Sequence, residues 1–222
     1  MAGILASVFG YVVAEPLLGR AVKLEAGGHA HMTMTPEVFT RGEQQAGFVL
    51  GELVFACGVG FLLAGAAFLL SRADGRPARL WVGMTAACVW AAVVLPAFAF
   101  PPLPPGVEST LSVGWRQSGY VLIVATGLLG AALACRAWRA MVGLRRVSVA
   151  LLCIVAPGAA VIATLPKSGT EGSPPAALLR DFRMGSWGTQ AVFWLAFLLV
   201  GWYLLRRRDT SAEQQDPSGT NA

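Results

Sequence analysis

Residues 46–70 read AGFVLGELVFACGVGFLLAGAAFLL, a run of 25 residues in which only Glu52 is charged. About 20 consecutive apolar residues are enough for a helix to cross the hydrocarbon core of a bilayer. The run therefore predicts a transmembrane helix. The whole chain has the same character, since 55% of its 222 residues are hydrophobic and only 13% are charged. Soluble domains have roughly 25% charged residues, so an ordinary soluble enzyme is excluded, and so is a disordered chain.

Five further apolar runs accompany this one. Together they predict an all-α fold, a polytopic transmembrane helical bundle of about six spans, in a single domain over residues 1–205. Alternating short segments typical of a transmembrane barrel are absent from the sequence. The polar residues 206–222 are predicted to form a disordered cytoplasmic tail. The predicted spans are 1–18, 46–70, 80–100, 117–135, 147–165 and 187–205.

The basic residues, which give a net charge of +5, predict the orientation. With six spans, one side carries ten of them in short segments beside span ends, and the other side carries seven in longer loops. The positive-inside rule then places both termini in the cytoplasm, in a multi-pass protein of the cytoplasmic (inner) membrane. A nucleic-acid partner is not expected, because there is no basic face or binding motif. The ten residues are Arg72, Arg76, Arg79, Arg136, Arg139, Arg145, Arg146, Arg206, Arg207 and Arg208.

A possible metal site lies in the first predicted outer loop. Both histidines of the chain, His29 and His31, occur there beside Met32 and Met34. Alternate residues of an extended strand point to the same side, and imidazole binds cobalt, nickel, copper and zinc, whereas thioether sulfur favours Cu(I). The pattern favours metal capture, although a solvated loop with chance His and Met residues is the alternative.

Polar residues within the spans form a second candidate. A carboxylate such as that of Glu52 is costly in a bilayer and usually faces other helices or water. An ion or proton path and a structural hydrogen bond both remain open for it. Before the last span, Arg183, Ser186 and Gln190 fall on one helical face if this stretch is helical, so a polar face would enter the membrane.

Two further patterns concern packing alone. Gly47-x-x-x-Gly51 is typical of close helix contacts, and Pro96 and Pro157 within apolar runs predict kinks. No nucleotide-binding loop, H-E-x-x-H motif or nucleophile elbow occurs, so neither an enzyme nor a bound cofactor is expected.

Four further stretches follow one another along the chain: GYVVAEPLLGRAV at 10–22, TRGEQ at 40–44, the proline-rich FPPLPP at 100–105, and FRMGSWGTQ at 182–190. In this order they resemble the CbtA family of predicted cobalt-transporter subunits. The resemblance covers most of the chain up to about Leu205. It implies a multi-span inner-membrane protein, often accompanied by a small single-span partner, CbtB.

The sequence and the resemblance together predict the membrane subunit of a divalent-metal uptake system, with cobalt favoured as the transported ion. In this hypothesis the His/Met loop captures the ion, and Glu43, Glu52 and Gln190 supply oxygen ligands along a path between helices. Two alternatives stay open. One is a non-transporting scaffold that partners another subunit, and the other is a copper-handling membrane protein.

Overall fold

The computed structural model describes residues 1–20, 40–74, 77–104, 107–170 and 175–215. Its described part is helical apart from the connections and contains no strand longer than an isolated bridge. Among the described residues, six helices are long and apolar enough to cross a membrane, which confirms the predicted all-helical, six-span fold class.

We number these helices α1 to α6 in chain order. The first, α1, spans Ala2–Arg20, and α2 spans Arg41–Asp74. Helix α3 consists of three consecutive segments, Pro77–Val89, Trp90–Val94 and Leu95–Ala99. The remaining helices are α4, Val113–Ala140, α5, Gly143–Thr164, and α6, Ala176–Gln215.

The surface of α2 shows why a membrane is the surrounding medium. Phe61 and Leu62 have 81% and 75% of their surface exposed, although no charged residue lies between Glu52 and Arg72. Such a continuous exposed apolar surface is disfavoured in water but stable against lipid.

Helix α6 continues through Gln215, beyond residue 205, the predicted end of the last span. Adding residues to an existing helix requires no new nucleation, and residues 206–215 include three Arg, two Gln, one Ala and one Glu, all of which are good helix formers. Residues 216–222 of the predicted disordered tail lie outside the described residues.

The chain divides into two compact units. The first comprises Met1–Val12, Thr33–Thr85 and Gly188–Ala222, and the second comprises Val13–Met32 and Ala86–Trp187. The first unit therefore contains the first part of α1, all of α2, the start of α3 and most of α6. The second contains the end of α3 together with α4 and α5.

Aromatic side chains form the core of the first unit. The Phe193 ring lies 5.8 Å from that of Phe197 between centroids, and Trp81 stacks on Phe197 at 5.0 Å. Trp81 also donates its indole N–H to the carbonyl oxygen of Leu198 at 3.3 Å. A Cβ at Gly201 would overlap the Trp81 ring, so glycine at this position allows α3 to approach α6.

In the second unit, α4 packs closely on its neighbours through glycines. A Cβ at Gly130 would lie 2.6 Å from the carbonyl oxygen of Cys153 on α5, and one at Gly127 would lie 2.8 Å from the Cβ of Ala91 on α3. By contrast, a Cβ at Gly47 or Gly51 would meet nothing within 4 Å. The prediction that Gly47 and Gly51 make a close helix contact is therefore wrong for the described part of this chain, in which other glycines make such contacts.

In the part of the chain that the structure describes, two five-residue π-helical segments interrupt the helices, and both precede a proline. Gly10–Ala14 ends two residues before Pro16, and Trp90–Val94 ends two residues before Pro96. Proline has no N–H to donate to the carbonyl four residues earlier. For Pro96 that carbonyl is Ala92, whose oxygen accepts a hydrogen bond from the Tyr120 hydroxyl of α4 at 2.8 Å.

The connections at one end of the second unit also contact each other. Ser109 and Thr170 form an antiparallel bridge, and Thr110 donates its backbone N–H to the Gly169 carbonyl at 3.2 Å. These bonds satisfy polar groups of the connections that follow α3 and α5. They hold the two connections together at the N-terminal end of α4.

Candidate functional site: a polar layer in the first unit

Helix α1 lies against α2 at the level of Glu52. A Cβ at Gly3 would lie 2.9 Å from the Cβ of Ala56 and 3.1 Å from the backbone oxygen of Glu52. About two helical turns further along α1, a Cβ at Gly10 would lie 2.8 Å from the Phe48 ring. As the α1 residue number rises the α2 residue number falls, so the two helices are antiparallel here.

Helix α6 lies beside α2 in the same unit. The rings of Phe55 and Phe193 are 5.4 Å apart between centroids, and a Cβ at Gly60 would lie 3.8 Å from the Phe197 ring. From the first contact to the second, the residue numbers rise on both helices, so α2 and α6 run parallel.

This pairing brings two predicted ligands to one level. Glu52 precedes Phe55 by three residues, and Gln190 precedes Phe193 by three residues. Three residues are nearly one helical turn, a rise of about 4.5 Å on each helix. Glu52 and Gln190 therefore lie at the same level of two neighbouring helices.

The two side chains differ in their bonding. The Gln190 amide oxygen accepts a hydrogen bond from the indole N–H of Trp194 at 3.0 Å, which leaves one lone pair on that oxygen. Glu52 is half-buried, and the structure shows no hydrogen bond or ion pair between its carboxyl group and any other described residue. A carboxylate in that position can accept a cation or a proton.

Two hydroxyl side chains that the sequence did not single out also lie in this unit. Ser7 is only 4% exposed, and its Oγ has no hydrogen-bond partner. Thr189 is 8% exposed, and its methyl group lies 3.6 Å from the position that a Cβ on Gly10 would take. The spacing Gly3, Ser7, Gly10 is the available sequence signal for Ser7, because residues three and four apart share one helical face.

Glu52, Gln190, Ser7 and Thr189 together form a polar layer, and Glu43 is separate from it. Its carboxylate accepts hydrogen bonds from the backbone N–H of Thr40 at 2.7 Å and from the Thr40 hydroxyl at 2.9 Å. The Glu43 N–H donates back to the Thr40 hydroxyl at 3.4 Å, which completes a capping box at the start of α2. Nine residues of helix, about 13 Å along the axis, separate Glu43 from Glu52, so one ion cannot contact both.

The residues of the predicted capture loop, His29, His31, Met32 and Met34, lie outside the described residues. Within the part of the chain that the structure describes, no three His, Cys, Asp or Glu residues lie close enough together to hold a metal ion. The described polar layer consists of one carboxyl, one amide and two hydroxyl groups, so any ion bound there would have oxygen ligands.

The six apolar helices and the polar layer within them define a multi-pass integral membrane protein. Over residues 1–205 the chain matches the family described as "Probable cobalt transporter subunit (CbtA)". Since the match covers nearly the whole chain, the protein belongs to the CbtA family. No curated protein and no solved structure matches the chain.

Family membership has three consequences. It makes the chain a probable subunit of a cobalt transporter, which favours a non-enzymatic role. A subunit implies partner proteins as well as the membrane itself. It also confirms the resemblance found in the sequence.

Proposed function

We propose that the protein is the membrane subunit of a divalent-metal uptake system with cobalt as its main substrate, and that the ion passes the level of Glu52 and Gln190. The observation that carries this proposal is the position of Glu52, whose carboxyl group lies within an apolar helix and has no protein partner among the described residues. Ionisable residues inside spans are rare, costly and generally functional. The Gln190 amide oxygen at the same level offers a second, neutral ligand.

The metal content of cells tests this proposal. Cells with and without the gene are grown in limiting concentrations of cobalt, nickel, copper and zinc, and all four metals are measured in parallel. Cobalt accumulation that depends on the gene is expected. If no metal changes, the scaffold alternative is favoured, and a change confined to copper would favour the copper-handling alternative.

We further propose that the His29, His31, Met32 and Met34 loop captures the ion before it reaches the helices. Imidazole nitrogen is a good ligand for Co²⁺. A His29→Ala/His31→Ala double variant should lower cobalt accumulation at limiting cobalt and have less effect at high cobalt, because capture matters most when the ion is scarce. Equal accumulation by variant and wild type at every concentration would exclude a role for the loop.

For the orientation, we propose that both termini lie in the cytoplasm of a cell with this protein in its inner membrane. The support is the excess of arginines beside the span ends on that side. A reporter fused after Ala222 that is active only in the cytoplasm should be active. A reporter active only outside the cytoplasm would overturn this topology if it worked at the same position.

The partner is proposed to be a small single-span CbtB-like subunit, which rests on the family's description as a transporter subunit. Affinity purification of the full chain in mild detergent should retain such a protein when the two are co-expressed. The absence of any retained small subunit, under conditions in which the chain remains folded, would count against this assignment.

A further inference from the structure

Ser7 carries a buried hydroxyl group for which the described residues offer no hydrogen-bond partner. Its Oγ lies in a side chain that is only 4% exposed, and no described donor or acceptor reaches it. Leaving a buried polar group unpaired costs free energy, so such groups are uncommon in folded proteins. A ligand that contacts the hydroxyl would remove this cost.

The helix face of Ser7 is fixed by its neighbours. Ser7 follows Gly3 by four residues and precedes Gly10 by three, so the three positions share one face of α1. Gly3 packs against the backbone of α2 at Glu52 and Ala56, and Gly10 packs against Phe48. Ser7 therefore faces the stretch of α2 between Phe48 and Ala56, and the only ionisable group of this stretch is the carboxyl group of Glu52.

We propose that the Ser7 hydroxyl and the Glu52 carboxylate together bind the transported divalent cation through oxygen atoms alone. The inference rests on the proposed function and extends it, since it names a ligand and predicts selectivity. Both oxygens belong to helices that contact each other directly, and one carboxylate supplies the negative charge that the cation needs.

The absence of sulfur from this donor set determines which ions it suits. Carboxylate and hydroxyl oxygens bind hard and borderline divalent cations, whereas Cu(I) prefers thiolate and thioether sulfur. The nearest sulfur along α2 belongs to Cys57, which is exposed, and lies five residues beyond Glu52 and so on another helix face. The site accordingly favours Co²⁺ over Cu(I).

The test uses the purified full chain in detergent, titrated with Co²⁺ alone. Ser7→Ala removes the hydroxyl and should weaken Co²⁺ binding about tenfold, the lower end of what loss of a metal-site partner costs. Ser7→Cys replaces the hydroxyl by a thiol of similar size. Direct coordination would then add a sulfur-to-cobalt charge-transfer band in the near ultraviolet that the wild type lacks.

Thr85 provides a matched control. Its hydroxyl is also buried, at 2% exposure, and also lacks a partner, but it belongs to α3 and not to the contact between α1 and α2. Thr85→Val should leave Co²⁺ affinity unchanged, and Thr85→Cys should add no band. Circular dichroism and gel filtration check that every variant keeps its helical content and elution volume.

The outcomes separate this inference from the proposed function. If Glu52→Gln weakens Co²⁺ binding but Ser7→Ala does not, and Ser7→Cys adds no band, Ser7 is not a ligand and only the present inference is overturned. If Glu52→Gln also leaves binding unchanged, the proposed path past Glu52 is wrong as well. A band from Thr85→Cys equal to that from Ser7→Cys would also refute the assignment of Ser7.

Discussion

Replacing Tyr120 by Phe tests how the interruption of α3 is stabilised. The Tyr120 hydroxyl donates a 2.8 Å hydrogen bond to the Ala92 carbonyl, and Pro96 has no N–H to donate to that carbonyl. Tyr120→Phe removes this interhelical hydrogen bond. Interhelical hydrogen bonds in membranes contribute from about 0.6 to about 2 kcal/mol, so Tyr120→Phe should reduce the free energy of unfolding by about 1 kcal/mol.

The physical reason is checked by a double-mutant cycle with Pro96→Ala. Alanine restores an N–H that can donate to Ala92, so Tyr120→Phe should cost much less in that background, with a coupling energy of about 1 kcal/mol. Unfolding in mixed detergent and SDS micelles, followed by tryptophan fluorescence, measures all four proteins. Tyr203→Phe serves as the control, because the Tyr203 ring stacks with Arg207 and its hydroxyl has no hydrogen bond to a described residue. Equal costs of Tyr120→Phe in both backgrounds would refute the explanation.

Two other variants test packing and capping. Gly130→Ala should destabilise the protein by about 1–3 kcal/mol in the same unfolding assay, because the new Cβ would lie 2.6 Å from the Cys153 carbonyl oxygen. Gly47→Ala is the control and should be nearly neutral or slightly stabilising, because its Cβ would meet nothing within 4 Å. A larger loss of stability from Gly47→Ala than from Gly130→Ala would contradict the observed packing. Glu43→Ala removes the carboxylate that accepts from Thr40, so it should lower stability slightly through loss of the capping box. Cobalt accumulation per folded protein should be retained, and a loss of accumulation without loss of stability would instead make Glu43 part of the ion path.

The sequence was sufficient to predict the number and type of the helices, because hydrocarbon thickness imposes a minimum length on each apolar run. It was not sufficient to identify the contacts. Gly47 and Gly51 have the spacing of a packing motif, yet Gly3, Gly127 and Gly130 make close contacts in the structure. Glycine is frequent in membrane helices, so spacing alone does not show which face of a helix meets another helix.

The candidate site was predicted in part. Glu52 could be recognised because a lone carboxyl group in a long apolar run is conspicuous. Its level relative to Gln190 depends on the Phe55–Phe193 contact between helices distant in the sequence. For Ser7 the sequence offers only its spacing from Gly3 and Gly10, and a single serine in an apolar run is ordinary until its burial and lack of a partner are known.

The central claim is that a divalent cation passes the level of Glu52. It is tested most directly by radioactive Co²⁺ uptake in cells that express either wild type or Glu52→Gln at equal abundance in the membrane. Glutamine keeps the size of the side chain but removes its charge, so uptake should fall at least about tenfold, as expected when a charged ligand is lost from a metal site. Uptake by Glu52→Gln equal to that of the wild type would contradict the account.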